Sequence, residues 1–85
     1  MPSDNSRVKP DRIPAIRTVK IGNRRTTIRI EPIIWDALNE IAVDQGRTVH
    51  DILFEIDQEP KFSSFTAAIK IYIIEYYRER LAKRR

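Results

Sequence analysis

Arg25, Thr27 and Arg29 stand at every second position of the run Arg24–Ile30, with Thr26, Ile28 and Ile30 between them. A guanidinium presents a rigid fork of donors that can bond bidentately to a phosphate or to the O6/N7 edge of guanine. Threonine adds a hydroxyl and a methyl group, both suited to base edges in a groove. The chemistry these residues offer is recognition of an anion. Two arginines flanking a threonine, with Arg24 beside them, exceed what solubility requires of a strand. Twofold repetition of the set would crowd four arginines together, which is unfavourable without an anionic partner.

Other chemistries find no support. The chain has no cysteine and one histidine, His50, so neither a thiolate site nor a histidine-based metal site can be assembled. Asp36, Glu40 and Asp44 lie on one helical face without a ligand set and read as a solvated face. Trp35, Tyr72, Tyr76 and Tyr77 fall at helical spacing, which favours core or interface over base stacking. Two glycines leave no room for a glycine-rich phosphate loop, and no nucleophile–base pair is visible. The expectation is a protein with no catalytic residues, no metal and no cofactor. No segment approaches the roughly 20 apolar residues of a membrane span, and the start of the chain lacks the apolar run of a secretory leader. The protein is therefore expected to be cytoplasmic, with no membrane partner.

The elements that must position the cationic run follow from patterning. Residues 1–14 are rich in Pro, Ser, Asp, Asn and Arg and read as a flexible basic arm; residues 15–85 form the domain. Alternation of period two over Arg24–Ile30 predicts a half-buried strand with its cationic parity outward. Upstream, Val19 and Ile21 alternate with Thr18 and Lys20, and Gly22-Asn23 between the runs has the composition of a two-residue turn. A hairpin would set Lys20 opposite Arg25; a basic arm tracking phosphates is the alternative for the upstream run.

Pro32 suits the first turn of a helix in which Ile34, Leu38, Ile41 and Ala42 form the apolar stripe, Trp35 flanks it and Gly46 is the stop. Thr48 and Asp51 read as a capping box opening a second helix, with Val49, Ile52, Leu53 and Ile56 on its buried side. Glu59-Pro60 ends it. Ser63 or Ser64 caps a third segment, in which Phe65, Ala68, Ile69, Tyr72, Ile73, Tyr76 and Tyr77 recur at three and four. Its cations, from Arg78 to Arg85, complement a helix C-terminus.

Charge is segregated along the chain. Residues 1–30 hold eight basic residues against two acids, residues 31–60 hold Arg47 against eight acids, and residues 61–85 hold seven basic residues against two acids. An anionic partner should meet particular surfaces rather than the whole molecule. Some 70 ordered residues support a core of limited stability, and dimerisation is the remaining common remedy without disulfides.

The segment Arg25-Thr26-Thr27-Ile28-Arg29-Ile30-Glu31-Pro32, the Trp35/Leu38/Ile41 helix and the turn Gly46-Arg47-Thr48-Val49 together resemble the ribbon-helix-helix family of Arc and methionine-repressor type. Trp35-Asp36-Ala37-Leu38 and Ile74-Glu75-Tyr76-Tyr77-Arg78 look like a bacterial subfamily of small proteins with this domain. The resemblance implies a mainly α fold with a short β-ribbon. It further implies an intertwined homodimer with an added C-terminal helix, its core drawn from Ile28, Ile30, Trp35, Leu38, Ile41, Ile52, Leu53 and Ile56. It places base contacts on Arg25, Thr27 and Arg29. Phosphate contacts would fall to Arg24, Lys20, Arg47, Thr48 and Val49, the last two through backbone N–H groups at a helix start, which are an anion site on physical grounds also.

The expected function is sequence-specific binding of double-stranded DNA by a transcriptional regulator, a repressor or autoregulator. The competing expectation is a dimeric protein-interaction module, an antitoxin-like adaptor or complex subunit with a protein partner. A strand upstream of the ribbon bears on that choice. Four coplanar strands about 4.8 Å apart would not enter deeply a groove about 12 Å wide.

Overall fold

The computed structural model describes residues 13–59 and 64–83. Most of the proposed arm, along with Pro60, Ser63, Arg84 and Arg85, lies outside the described residues. Five elements follow in order: β1 (Ala15–Ile21), β2 (Arg24–Ile30), α1 (Pro32–Gln45), α2 (Val49–Gln58) and α3 (Phe65–Lys83). The run upstream of the cationic strand is thus a strand itself. It pairs with β2 antiparallel, in a register that sets Ile21 against Arg24 and Ala15 against Ile30.

Gly22 and Asn23 make the turn. Gly22 has φ +61°, and no residue other than glycine has positive φ among the described residues, the pattern of a II′ turn with glycine at its first central position. This turn matches the right-handed twist of paired strands, so the hairpin closes within two residues.

Helix boundaries follow local chemistry. Pro32 opens α1 after an extended Glu31, whose carbonyl accepts from the N–H groups of Ile34 and Trp35. Gly46 ends α1 at φ +69°. There Arg47 N–H donates to Ala42 O at 2.9 Å and Gly46 N–H donates to Val43 O at 3.1 Å, the paired bonds of a Schellman cap. Thr48 caps α2: its Oγ1 accepts from Asp51 N at 3.0 Å, and Thr48 N donates to Asp51 Oδ2 at 3.0 Å. Glu59, extended ahead of Pro60, closes the helix. Ser64 opens α3, its Oγ accepting from Ala67 N at 3.1 Å.

One core joins all five elements. Ile21, Ile28 and Ile30 come from the hairpin, Trp35, Leu38, Ile41 and Ala42 from α1, Ile52, Leu53 and Ile56 from α2, and Ile69 and Ile73 from α3. Trp35 belongs to the buried stripe of α1, and Ile34, expected in that stripe, is only half-buried. The indole is the larger apolar surface, and the helix turns to place it inward. The eight residues assigned to a dimer core are all buried within one chain.

The third helix is held against α1 by polar contacts as well as by its apolar side. Tyr77 Oη donates to Glu40 Oε1 at 2.9 Å, Tyr76 Oη bonds Asp44, and Arg80 pairs with the same aspartate. Glu40 and Asp44, expected to face solvent without partners, are therefore docking points for α3. The tyrosines bring hydroxyls to their edge while burying ring surface, as amphipathic aromatics do. At the other end, Lys70 Nζ lies 3.3 Å from Glu31 Oε1, tying α3 to the junction of β2 and α1.

Candidate nucleic-acid interface

In an antiparallel pair, directly opposed residues project to the same face. The register therefore sorts the hairpin into two sides. The inner side carries Ala15, Val19, Ile21, Thr26, Ile28 and Ile30, together with Arg17 and Arg24 at positions opposite Ile28 and Ile21. The outer side consists of three cross-strand pairs: Lys20 with Arg25, Thr18 with Thr27, and Ile16 with Arg29. All six outer residues are exposed.

Their surroundings sharpen the electrostatics. Among the described residues, no acid pairs with Lys20, Arg25 or Arg29, and no acid stands on that side of the hairpin. Arg25 and Arg29 are four residues apart on one strand, a separation of about 13 Å at the usual rise. Lys20 sits across from Arg25, as the two-residue turn requires. The positive charge of the outer face is thus uncompensated among the described residues.

Arg17, Arg24 and Arg47 are already engaged. Arg24 Nη2 lies 2.7 Å from Asp57 Oδ1 of α2. Arg17 places its guanidinium carbon 5.3 Å from the Trp35 ring centroid, a cation–π contact that caps the inner edge of the hairpin. Arg47 bonds Glu55 Oε1 at 2.5 Å and Gln45 Oε1 at 2.8 Å, and reaches Tyr72 Oη at 3.4 Å. The charged bond to Glu55 holds its guanidinium above the ordinary value, so it remains a cation at every relevant pH.

The start of α2 is also occupied. The capping box uses the N–H groups of Thr48 and Asp51. The bond from the Thr48 backbone, then that from its side chain, holds the Asp51 carboxyl below its ordinary range. That carboxylate already places a negative charge where a phosphate would sit. Of the two backbone donors singled out from sequence there, the N–H of Thr48 is committed to its own helix.

Sequence reasoning singled out Arg25, Thr27 and Arg29 and, through a hairpin, Lys20 opposite Arg25; it did not single out Thr18 and Ile16. Thr18 and Ile16 join Thr27 and Arg29 because the turn has two residues; a turn of another length would change the pairing. Asn23 beside Gly22 was the available signal, and it settles parity only once the turn geometry is known.

A hairpin with a cationic, solvent-facing side, followed by two short capped helices and a longer third, defines a small ribbon-and-helix protein. The ribbon-helix-helix domain model matches residues 14–77, and the chain belongs to that family. Domains of this family are typically regulatory modules that bind DNA. No curated protein and no solved structure matches the chain. Among the described residues there is no cluster of His, Cys, Asp or Glu able to hold a metal ion, and no helix is long and apolar enough to cross a membrane.

Proposed function

We propose that this protein is a sequence-specific DNA-binding transcriptional regulator, acting as a homodimeric repressor or autoregulator. The observation that supports this reading most is the outer face of the hairpin. Lys20, Arg25 and Arg29 stand exposed around two threonines, with no acid among the described residues to neutralise them. Phosphates provide most of the affinity in such complexes, and base edges provide the sequence preference. Arg25, Thr27 and Arg29 read bases, and Lys20 reaches a phosphate beside them. Arg24 and Arg47 contact phosphate only by exchanging Asp57 and Glu55 for it, which makes them weaker contributors. At the start of α2, Val49 N–H is the donor that serves an anion.

Sites are selected from a random duplex library with the full chain, and affinity is then measured at several salt concentrations. Replacing Arg25 or Arg29 with Ala should relax the selected sequence and cost about 1–3 kcal/mol for each bidentate arginine–base pairing removed. Wild-type affinity and wild-type sequence preference in both variants would refute the proposal.

A further inference from the structure

We infer that β1 stays paired with β2 when the protein dimerises, so that the DNA-binding sheet has four strands, and that Thr18 joins Lys20 on the sugar–phosphate walls of the groove. This rests on the reading of the protein as a homodimer that binds duplex DNA. The turn sets the geometry. Its own hydrogen bond joins Ile21 to Arg24, and hydrogen-bonded pairs then alternate along the ladder. The N–H and C=O groups of Arg24, Thr26, Ile28 and Ile30 thus point at β1, and those of Arg25, Thr27 and Arg29 point the other way. No strand pairs with that second edge among the described residues. An unpaired edge is a template for another strand, and Thr27 is the midpoint of the seven residues of β2. A twofold axis through Thr27 pairs all of β2 with the β2 of a second copy and satisfies the three free positions together. The ribbon then takes one strand from each chain, and its outer face keeps the parity of Arg25, Thr27 and Arg29.

What becomes of β1 follows from its inner side. Ile21 is 3% exposed and belongs to the core, and Val19 packs against that core. Arg17 lies over the Trp35 ring. Detaching β1 would return both apolar side chains to water and uncover the indole, and the pairing of β2 through its free edge does not require it. The dimer therefore carries the strand order β1-β2-β2-β1. Its outermost backbones are about 14 Å apart, wider than a major groove of about 12 Å. Neighbouring strands are rotated by about 20–25°, so each β1 turns away from the central ribbon. It crosses the wall of the groove while β2 follows the floor. Phosphates, not base edges, are what β1 meets. Its outward residues include Thr18 and Lys20, both exposed, and a hydroxyl and an ammonium are both phosphate donors. Threonine is ordinary on an exposed strand; the position beside Lys20, in the strand that overhangs the groove, is what assigns it.

Amide hydrogen exchange of the full chain, followed by NMR with and without a duplex selected from a random library, reads the sheet. Slow exchange at Arg17, Val19 and Ile21 reports the pairing of β1, and slow exchange at Arg25, Thr27 and Arg29 reports the second copy. Both sets should be slow in the free dimer and in the complex. Fast exchange at either set in the free dimer overturns the inference, and so does loss of protection at the first set on DNA binding. Thr18→Val, which keeps the shape and the β-branch, tests the phosphate contact. It should weaken binding about tenfold for every sequence, the value of a hydrogen bond to a charged group, with the selected sequence and the salt slope unchanged. Phosphates of the duplex are then replaced one at a time by uncharged methylphosphonate. A symmetric pair of positions should weaken the wild type and leave Thr18→Val unaffected. Wild-type affinity in Thr18→Val, or a preference relaxed at one base pair, overturns the inference. In each of these cases Arg25→Ala and Arg29→Ala still relax the selected sequence, and the DNA reading stands. If the arginine variants select and bind like wild type, the DNA reading falls and takes this inference with it.

Discussion

At the scale of single residues, the same local chemistry that builds the domain limits where a ligand can bind. Thr48 and Asp51 exchange hydrogen bonds at the start of α2. Their mutual satisfaction stabilises the helix and occupies donors that a phosphate would need. Thr48→Ala should lower stability by about 1 kcal/mol, the usual cost of a lost N-cap, as measured by thermal unfolding. The cap also has a pH signature. Asp51 is held below its ordinary range by bonds from Thr48, and Glu31 is lowered by a backbone bond and then by Lys70. A carboxylate depressed in the folded state contributes stability above its unfolded value and loses it as pH falls through the folded one. Stability should therefore decline on the acid side, below about pH 4. Urea unfolding at a series of pH values should show a shallower decline in Asp51→Asn.

At the scale of elements, two glycines perform different tasks. Gly22 turns the hairpin at φ +61°, and a Cβ there would meet Phe54 Cε1 of α2 at 3.3 Å. Gly46 ends α1 at φ +69°, and nothing lies within 4 Å of a Cβ built there. Both positions disfavour an L side chain, at a cost of roughly 1–2 kcal/mol. Only the first adds crowding against a neighbouring helix. Gly22→Ala should thus destabilise more than Gly46→Ala, and it should disturb the register of the outer face as well. Amide exchange across β1 and β2 would show whether the hairpin, rather than the helices, opens first. Equal destabilisation by the two substitutions would mean that Phe54 yields without cost.

At the scale of the whole molecule, charge segregation along the chain becomes segregation in space. The acids of residues 31–60 are largely consumed in internal partnerships: Asp57 with Arg24, Glu55 with Arg47, Asp44 with Arg80, and Glu31 with Lys70. The cations of the outer hairpin face have no such partners among the described residues. If that face meets DNA, Lys20→Ala should weaken binding by a similar factor for all sequences. It should reduce the slope of log affinity against log salt by about 0.9, the value of one phosphate contact. An unchanged slope, measured over several salt concentrations, would remove Lys20 from the interface.

Much of this architecture was legible in the sequence because its determinants are local. Period-two alternation marked β2, Pro32 and Gly46 bounded α1, and the Thr48/Asp51 pair marked the start of α2. The parity of Arg25, Thr27 and Arg29 opposite Ile28 and Ile30 follows from backbone geometry alone, so the cationic side of that strand needed no tertiary information. The remainder depended on contacts between residues far apart in the chain. The roles of Glu40 and Asp44 were not visible, because the hydroxyls of Tyr77 and Tyr76 arrive from more than thirty residues away. Arg24, expected from sequence to contact phosphate, proves to stand opposite Ile21 and to pair with Asp57, thirty-three residues along the chain. The outer cationic face itself shows the division most clearly. Sequence by itself determined that β2 presents arginine and threonine to solvent, since successive side chains in a strand must alternate. Only the tertiary structure decided that the upstream run is a strand rather than an arm, which sets Lys20 opposite Arg25 and adds Ile16 and Thr18 to this face, because strand pairing depends on a turn whose geometry becomes definite when the inner side of the hairpin packs on the helices.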